Sequence, residues 1–168
     1  LLGCGHGNYQ QKLLHYLFLG GILGGNWNKK VLKGYNMVAS GTKFFAGEHD
    51  HKVDPQGRIS MPSRLREAFK GGMVLSRGAD RCVVGYTESQ WEETVGEIAK
   101  LPIHLAKNRR ILRMTFGSAY QVDADRQGRV LLPLPLRRYA QINEDVVIVG
   151  MGNFLELWSK EVWEKESE

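Results

Sequence analysis

Two stretches of this chain are versions of one another, and that repetition restricts its fold more than any other feature. Asp54-Pro55-Gln56-Gly57-Arg58-Ile59-Ser60-Met61-Pro62-Ser63-Arg64-Leu65-Arg66 aligns with Asp125-Arg126-Gln127-Gly128-Arg129-Val130-Leu131-Leu132-Pro133-Leu134-Pro135-Leu136-Arg137. Seven of the 13 positions are identical, and Ile59/Val130 and Met61/Leu132 are conservative pairs. The offset of 71 becomes 72 after a one-residue slip, and then Gly78 matches Gly150, Tyr86 matches Trp158, Trp91 matches Trp163 and Glu92 matches Glu164. The repeats run over 48–91 and 119–163. A unit of about 45 residues is near the lower limit for an independent core. The two units are therefore expected to share one core around a pseudo-twofold axis, which brings their turns into related positions.

Each repeat reads as strand, turn, strand, short helix, two strands, helix, an α+β and strand-rich pattern. A strand over 49–53 (119–122 in the second copy) leads into the turn. Asp at the first position, Pro at the second and Gly at the fourth suit a type I turn closed by a left-handed glycine. A second strand over 58–61 (129–132) ends at Pro62 and Pro133. Short helices follow over 63–70, stopped by Gly71-Gly72, and over 134–140. Strands are expected over 73–77, 82–86, 146–149 and 154–158. Thr87-x-x-Gln90 has the form of a capping box ahead of a helix that carries Trp91, Val95 and Ile98 on one face. A linking helix is expected within 101–117, with Leu105, Ile111, Leu112 and Phe116 on its apolar side, Lys107, Arg109, Arg110 and Arg113 on its polar side, and Gly117 as its stop.

Composition narrows the function class. The net charge of +5 hints at nucleic acid, but residues 1–36 hold Lys12, Lys29, Lys30 and Lys33 and no acid. Residues 37–168 hold 19 basic and 18 acidic residues, so general basicity supports no DNA-binding claim for them. The glycine-rich segment 1–43 is expected to be a poorly ordered leader outside the functional core, with Met37 as the natural start. Two cysteines, Cys4 and Cys82, exclude a disulfide scaffold and fit a reducing compartment. No apolar run approaches the ~20 residues of a membrane span.

No nucleophile–base constellation, phosphate loop or dinucleotide fingerprint is visible, so an enzyme is not expected, and no cofactor is called for. Asp54 and Asp125 open turns, where an aspartate ordinarily caps the backbone. His49-x-His51 places two imidazoles on one strand face, but a metal site wants three or four ligands, and none is expected. Nucleic acid fits better. A β-ribbon enters the major groove, and arginine bonds guanine in bidentate fashion. Arg58 and Arg129 are the leading candidates. Lys52, Arg64, Arg66, Arg126, Arg137 and Arg138 are candidate phosphate contacts. One exposed arginine after a turn means little; the same Gln-Gly-Arg in both copies means more.

With these residues the sequence resembles the MraZ family of bacterial transcriptional regulators. The resemblance covers nearly all of 44–168. It includes Phe44-Phe45-Ala46-Gly47-Glu48-His49, both Asp-x-x-x-Arg motifs, the segment Ser76 to Cys82, and Val147-Ile148-Val149-Gly150 followed by Phe154 and Trp158. It implies that each repeat is a SpoVT-AbrB-type unit and that the two form a swapped-hairpin barrel. It implies homo-oligomeric rings and binding of double-stranded DNA at promoter direct repeats of the division and cell-wall gene cluster, usually as a repressor. The implied location is the cytoplasm, at the nucleoid. The implied DNA-binding residues are Asp54, Gly57 and Arg58 with Asp125, Gly128 and Arg129, the aspartates orienting the loops. Pro55 against Arg126 makes the two loops unequal. Alternatives are an AbrB-like antitoxin and a ring-forming interaction protein without a DNA role.

Overall fold

The computed structural model describes residues 45–167; the leader expected over 1–43 lies outside the described residues. The described residues form eight strands: β1 (Glu48–Lys52), β2 (Arg58–Ser60), β3 (Met73–Arg77), β4 (Val83–Thr87), β5 (Tyr120–Val122), β6 (Arg129–Leu131), β7 (Asp145–Gly150) and β8 (Leu155–Ser159). Five helices punctuate them: α1 (Ser63–Arg66), α2 (Glu88–Ile98), α3 (Ala106–Phe116), α4 (Leu134–Tyr139) and α5 (Lys160–Glu166). The architecture is α+β and strand-rich, with antiparallel pairing throughout.

The repeats exchange strands. A six-stranded sheet has the order β1-β7-β8-β4-β3-β5, and a separate ribbon pairs β2 with β6. Swapping the two repeats reverses the sheet order onto itself, so the pseudo-twofold axis passes between β4 and β8. There Val84 pairs with Glu156, its own counterpart at offset 72. In the ribbon Ile59 pairs with Val130, counterparts at offset 71. The first two strands of each repeat therefore pair with the other repeat, not with their own. The resemblance implied a swapped-hairpin barrel; among the described residues the pairing is a six-stranded sheet with β1 and β5 at its edges plus a separate ribbon, and it does not close.

One core holds both repeats. Ile59, Met61, Leu65 and Phe69 from the first copy and Val130, Leu132, Leu136 and Ile142 from the second are buried together with β3, β4, β7 and β8 side chains. Phe45 stacks on Phe69 at 5.2 Å. On the other face of the sheet the matched aromatics meet in matched pairs, Tyr86 with Trp91 at 5.7 Å and Trp158 with Trp163 at 5.6 Å. The alignment made from sequence thus reappears as equal geometry.

Local chemistry sets the boundaries. Thr87 caps α2 as a true capping box, its Oγ1 accepting from the Gln90 N–H and its own N–H donating to the Gln90 side chain. Pro62 and Pro133 each end a strand and supply the carbonyl that starts α1 or α4, accepting from Leu65 and Arg66 or from Leu136 and Arg137. The helix expected over 63–70 is shorter than that. α1 tightens into a 3-10 turn over Glu67–Phe69, and the chain leaves through Gly72 at φ +99°. The linking helix starts only at Ala106, because Pro102 to Leu105 close a separate turn, Leu105 N–H donating to the Pro102 carbonyl. Gly117 ends α3 with φ −71°, not in the left-handed region; a side chain there would meet the Arg113 carbonyl at 2.5 Å. No helix of the described residues is long and apolar enough to cross a membrane.

Candidate nucleic-acid interface

The two turns flank the β2–β6 ribbon, one at each end, with identical backbone bonding. In the first, Gly57 N–H donates to the Asp54 carbonyl and Asp54 N–H to the Arg58 carbonyl, both at 2.8 Å; Gly128 and Asp125 repeat this with Arg129 at the same distances. Gly57 and Gly128 lie at φ +83° and +73°, where a side chain is disfavoured. Asp54 Oδ1 accepts from the N–H groups of Gln56 and Arg58 at 2.9 Å, and Asp125 Oδ1 does so from Gln127 and Arg129. The aspartates are turn caps, as their position in the sequence suggested.

Their second oxygens hold the arginines. Arg58 Nε donates to Asp54 Oδ2 at 2.9 Å and Arg129 Nε to Asp125 Oδ2 at 2.8 Å. Ile59 and Val130 point into the core, so their neighbours Arg58 and Arg129 emerge on the opposite face of the ribbon. There the pairs cross: Arg58 Nη1 stands 3.8 Å from Asp125 Oδ2, and Arg129 Nη1 stands 3.7 Å from Asp54 Oδ2. Arg58 also bonds the Gln56 side chain. The result is a four-residue ion network on a half-buried surface.

The network keeps its carboxylates ionised. The Arg129 guanidinium and N–H bonds hold the Asp125 carboxyl down to about 2, and the Asp54 carboxyl is lowered too, first by the Arg58 N–H bond. Two carboxylates and two guanidinium groups cancel. The four-residue network is electrically neutral, so its two arginines alone do not attract a phosphate backbone.

Two further arginines close the site, by a role that sequence reasoning missed. Arg137 Nη1 lies 2.8 Å from where a Cβ at Gly57 would stand, and Arg66 Cδ and Nε lie 2.8 Å from the same point at Gly128. Each repeat's helix arginine thus covers the other repeat's turn. Arg66 Nε also donates to the Met61 carbonyl at 2.8 Å. Backbone bonds run across the same seam, Met61 N–H to the Gly128 carbonyl and Leu132 N–H to the Gly57 carbonyl. The signal was present in the alignment: Arg66/Arg137 is one of its seven identities.

The other candidate contacts differ in their surroundings. Lys52 pairs with Asp145 at 3.3 Å. Arg64, Arg126 and Arg138 are exposed. Arg138 joins Arg77, Leu134, Pro135 and Tyr139 around an open cleft of about 450 Å³. His49 and His51 share the half-buried face of β1, and among the described residues no three His, Cys, Asp or Glu side chains gather as a metal site. Burial and the charge of His49 push the His51 imidazole below its ordinary value. Cys82 is buried beside β4, and burial pushes its thiol up.

Residues 44–114 and 115–168 each match the family described as "MraZ protein, putative antitoxin-like". The chain is similar to the "Transcriptional regulator MraZ" of Roseiflexus castenholzii, 39% identical over 120 residues, which is 71% of this chain and 84% of the relative. It is similar to the protein of the same name from Thermomicrobium roseum, 40% identical over 124 residues, 74% of this chain and 87% of the relative. The corresponding figures for that of Pelotomaculum thermopropionicum are 39% over 120 residues, 71% and 83%.

Proposed function

The chain belongs to the MraZ family, and from that premise we propose that it is a sequence-specific regulator of transcription, a repressor, whose partner is double-stranded DNA. The observation that carries this reading is the pairing of two equivalent turns across one ribbon, cross-linked by Asp54, Arg58, Asp125 and Arg129. A two-stranded ribbon fits a major groove, and exposed Gln56, Arg126 and Gln127 stand at the turn tips. In this reading Asp54, Gly57, Arg58, Asp125, Gly128 and Arg129 form the DNA-binding element, with Arg64 and Arg138 as phosphate contacts beside it.

The exchange of β1–β2 and β5–β6 between the repeats supports assigning 48–91 and 119–163 as SpoVT-AbrB-type units that swap hairpins, with 101–117 linking them. The subunits assemble into a ring, and the DNA element is a set of promoter direct repeats ahead of division and cell-wall genes. The ring addresses a difficulty of charge. A body with 19 basic and 18 acidic residues over 37–168 neutralises few phosphates and binds weakly as a single copy. Several copies on tandem sites gain affinity through effective concentration. The chain works in the cytoplasm, at the nucleoid, and performs no catalysis.

A gel shift with the DNA immediately upstream of the chain's own coding sequence tests this. The intact upstream DNA is expected to bind much more tightly than a duplex cut to one repeat, and Arg58→Ala is expected to abolish the specific shift in a folded protein. Equal binding of single and tandem sites overturns the avidity account, and retained binding by folded Arg58→Ala overturns the assignment of the turns.

A further inference from the structure

The two turns are equal in backbone and unequal in free charge. Most of the cations near them are engaged within the chain. Arg58 and Arg129 each face two carboxylates. Arg66 and Arg137 lie over the opposite glycines, and Lys52 pairs with Asp145. Arg64 and Arg138 are also exposed, with side chains unbonded among the described residues, but they lie on α1 and α4; Arg126 is the unbonded cation at a turn tip. It is the second residue of the second turn, it is exposed, and it has no hydrogen bond or ion pair among the described residues. Its counterpart in the first turn is Pro55, which offers neither charge nor donor. The third position of the ribbon strands repeats the inequality, with exposed Leu131 in β6 where β2 has Ser60.

We propose that Arg126 is a further specificity-determining residue of the paired turns, its guanidinium bonding a guanine edge in the major groove beside the element that Arg58 and Arg129 form. This rests on the DNA-binding reading above. The chemistry follows from availability. A bidentate contact with guanine O6 and N7 needs a guanidinium with free N–H groups. Arg58 and Arg129 each give their Nε–H to a carboxylate and hold their Nη1 3.8 Å and 3.7 Å from a second one, whereas no N–H of the Arg126 side chain has an acceptor among the described residues. The inequality also gives the site a direction. A twofold-symmetric reader matches a palindromic half-site pair, whereas a pseudo-twofold ribbon with an arginine at one end and a proline at the other matches an element that reads differently in its two orientations.

The fold itself supplies a clean substitution. Asp54-Pro55-Gln56-Gly57 and Asp125-Arg126-Gln127-Gly128 make the same bonds, and none of them uses the N–H of residue 126. Arg126→Pro therefore makes the second turn a copy of the first and leaves the fold intact. Adding Pro55→Arg moves the arginine to the other end of the ribbon.

The test measures binding of the full chain, Arg126→Pro and the swapped double variant to the DNA upstream of its own coding sequence. The panel includes duplexes with each base pair changed in turn, and unfolding midpoints serve as a control. Arg126→Pro is expected to bind on the order of tenfold or more weakly and to lose discrimination at a guanine position. The swapped variant is expected to regain the affinity. Unchanged binding by Arg126→Pro overturns this inference and leaves the DNA-binding reading standing. A uniform loss across all sequences, with the salt dependence lowered by about one counterion, marks a phosphate contact and overturns the base-reading role. Failure of the swapped variant to recover overturns the equivalence of the two tips. Absence of any binding by the unaltered chain overturns both.

Discussion

Arg137, from the second repeat, lies over Gly57 in the first, its Nη1 2.8 Å from the point a Cβ would occupy. The relation is reciprocal, since Arg66 stands the same way to Gly128. A turn in one repeat is therefore finished by a helix in the other, and neither repeat has a complete site of its own.

Gly57→Ala tests that seam. The backbone at φ +83° strains any side chain, and the Arg137 guanidinium must move away from the added methyl group. The expected loss is about 1–3 kcal/mol in urea unfolding. Adding Arg137→Ala removes the clash but not the strain. It should recover only part of the loss, and full recovery would show that the φ value contributes nothing.

The ion network predicts a specific acid response. Asp125 is held from an ordinary value of 3.8 down to about 2, chiefly by its bonds with Arg129, and Asp54 is lowered in the same direction. A carboxylate lowered on folding contributes stability above its unfolded value, and the contribution fades as pH falls through the folded one. Unfolding midpoints of the unaltered chain should fall between about pH 4 and pH 2. Asp125→Asn should start lower at neutral pH and fall less over that window. Parallel curves for the two proteins would remove the network from the account.

The ribbon depends on the core beneath it. Ile59 is completely buried and pairs with Val130 at the pseudo-twofold axis. Ile59→Ala should cost about 2–5 kcal/mol, with unfolding by heat and by denaturant shifted together. A loss well under 1 kcal/mol would mean that the ribbon is not anchored by that contact.

Much of this was legible in the sequence, for identifiable reasons. The repeat gave every strand within one or two residues, because turn chemistry at Asp54 and Asp125 and the prolines at 62 and 133 are local signals. The capping box at Thr87 is local too, and it formed as written. What the residue pattern alone does not carry is which repeat each strand joins; the exchange was implied only by the family resemblance. Antiparallel pairing of β1 with β7 and β5 with β3 is decided by burial between segments far apart in the chain, and alternation within a strand carries no partner name. The same gap hid the site. Arg58 was recognisable as an arginine after a turn, but its bond to Asp125 needs the exchanged strands. Arg66 and Arg137 read as surface cations until the fold placed each over the other's glycine.

The central claim is that the paired turns meet DNA, and site-specific cross-linking tests it most directly. A photoreactive residue is placed in turn at Gln56, at Gln127 and, as a control, at exposed Glu92 on α2, and each protein is irradiated with the upstream duplex. The account predicts cross-links from Gln56 and Gln127 and none from Glu92. Cross-links from Glu92, with both turns silent while the duplex is bound, would contradict it.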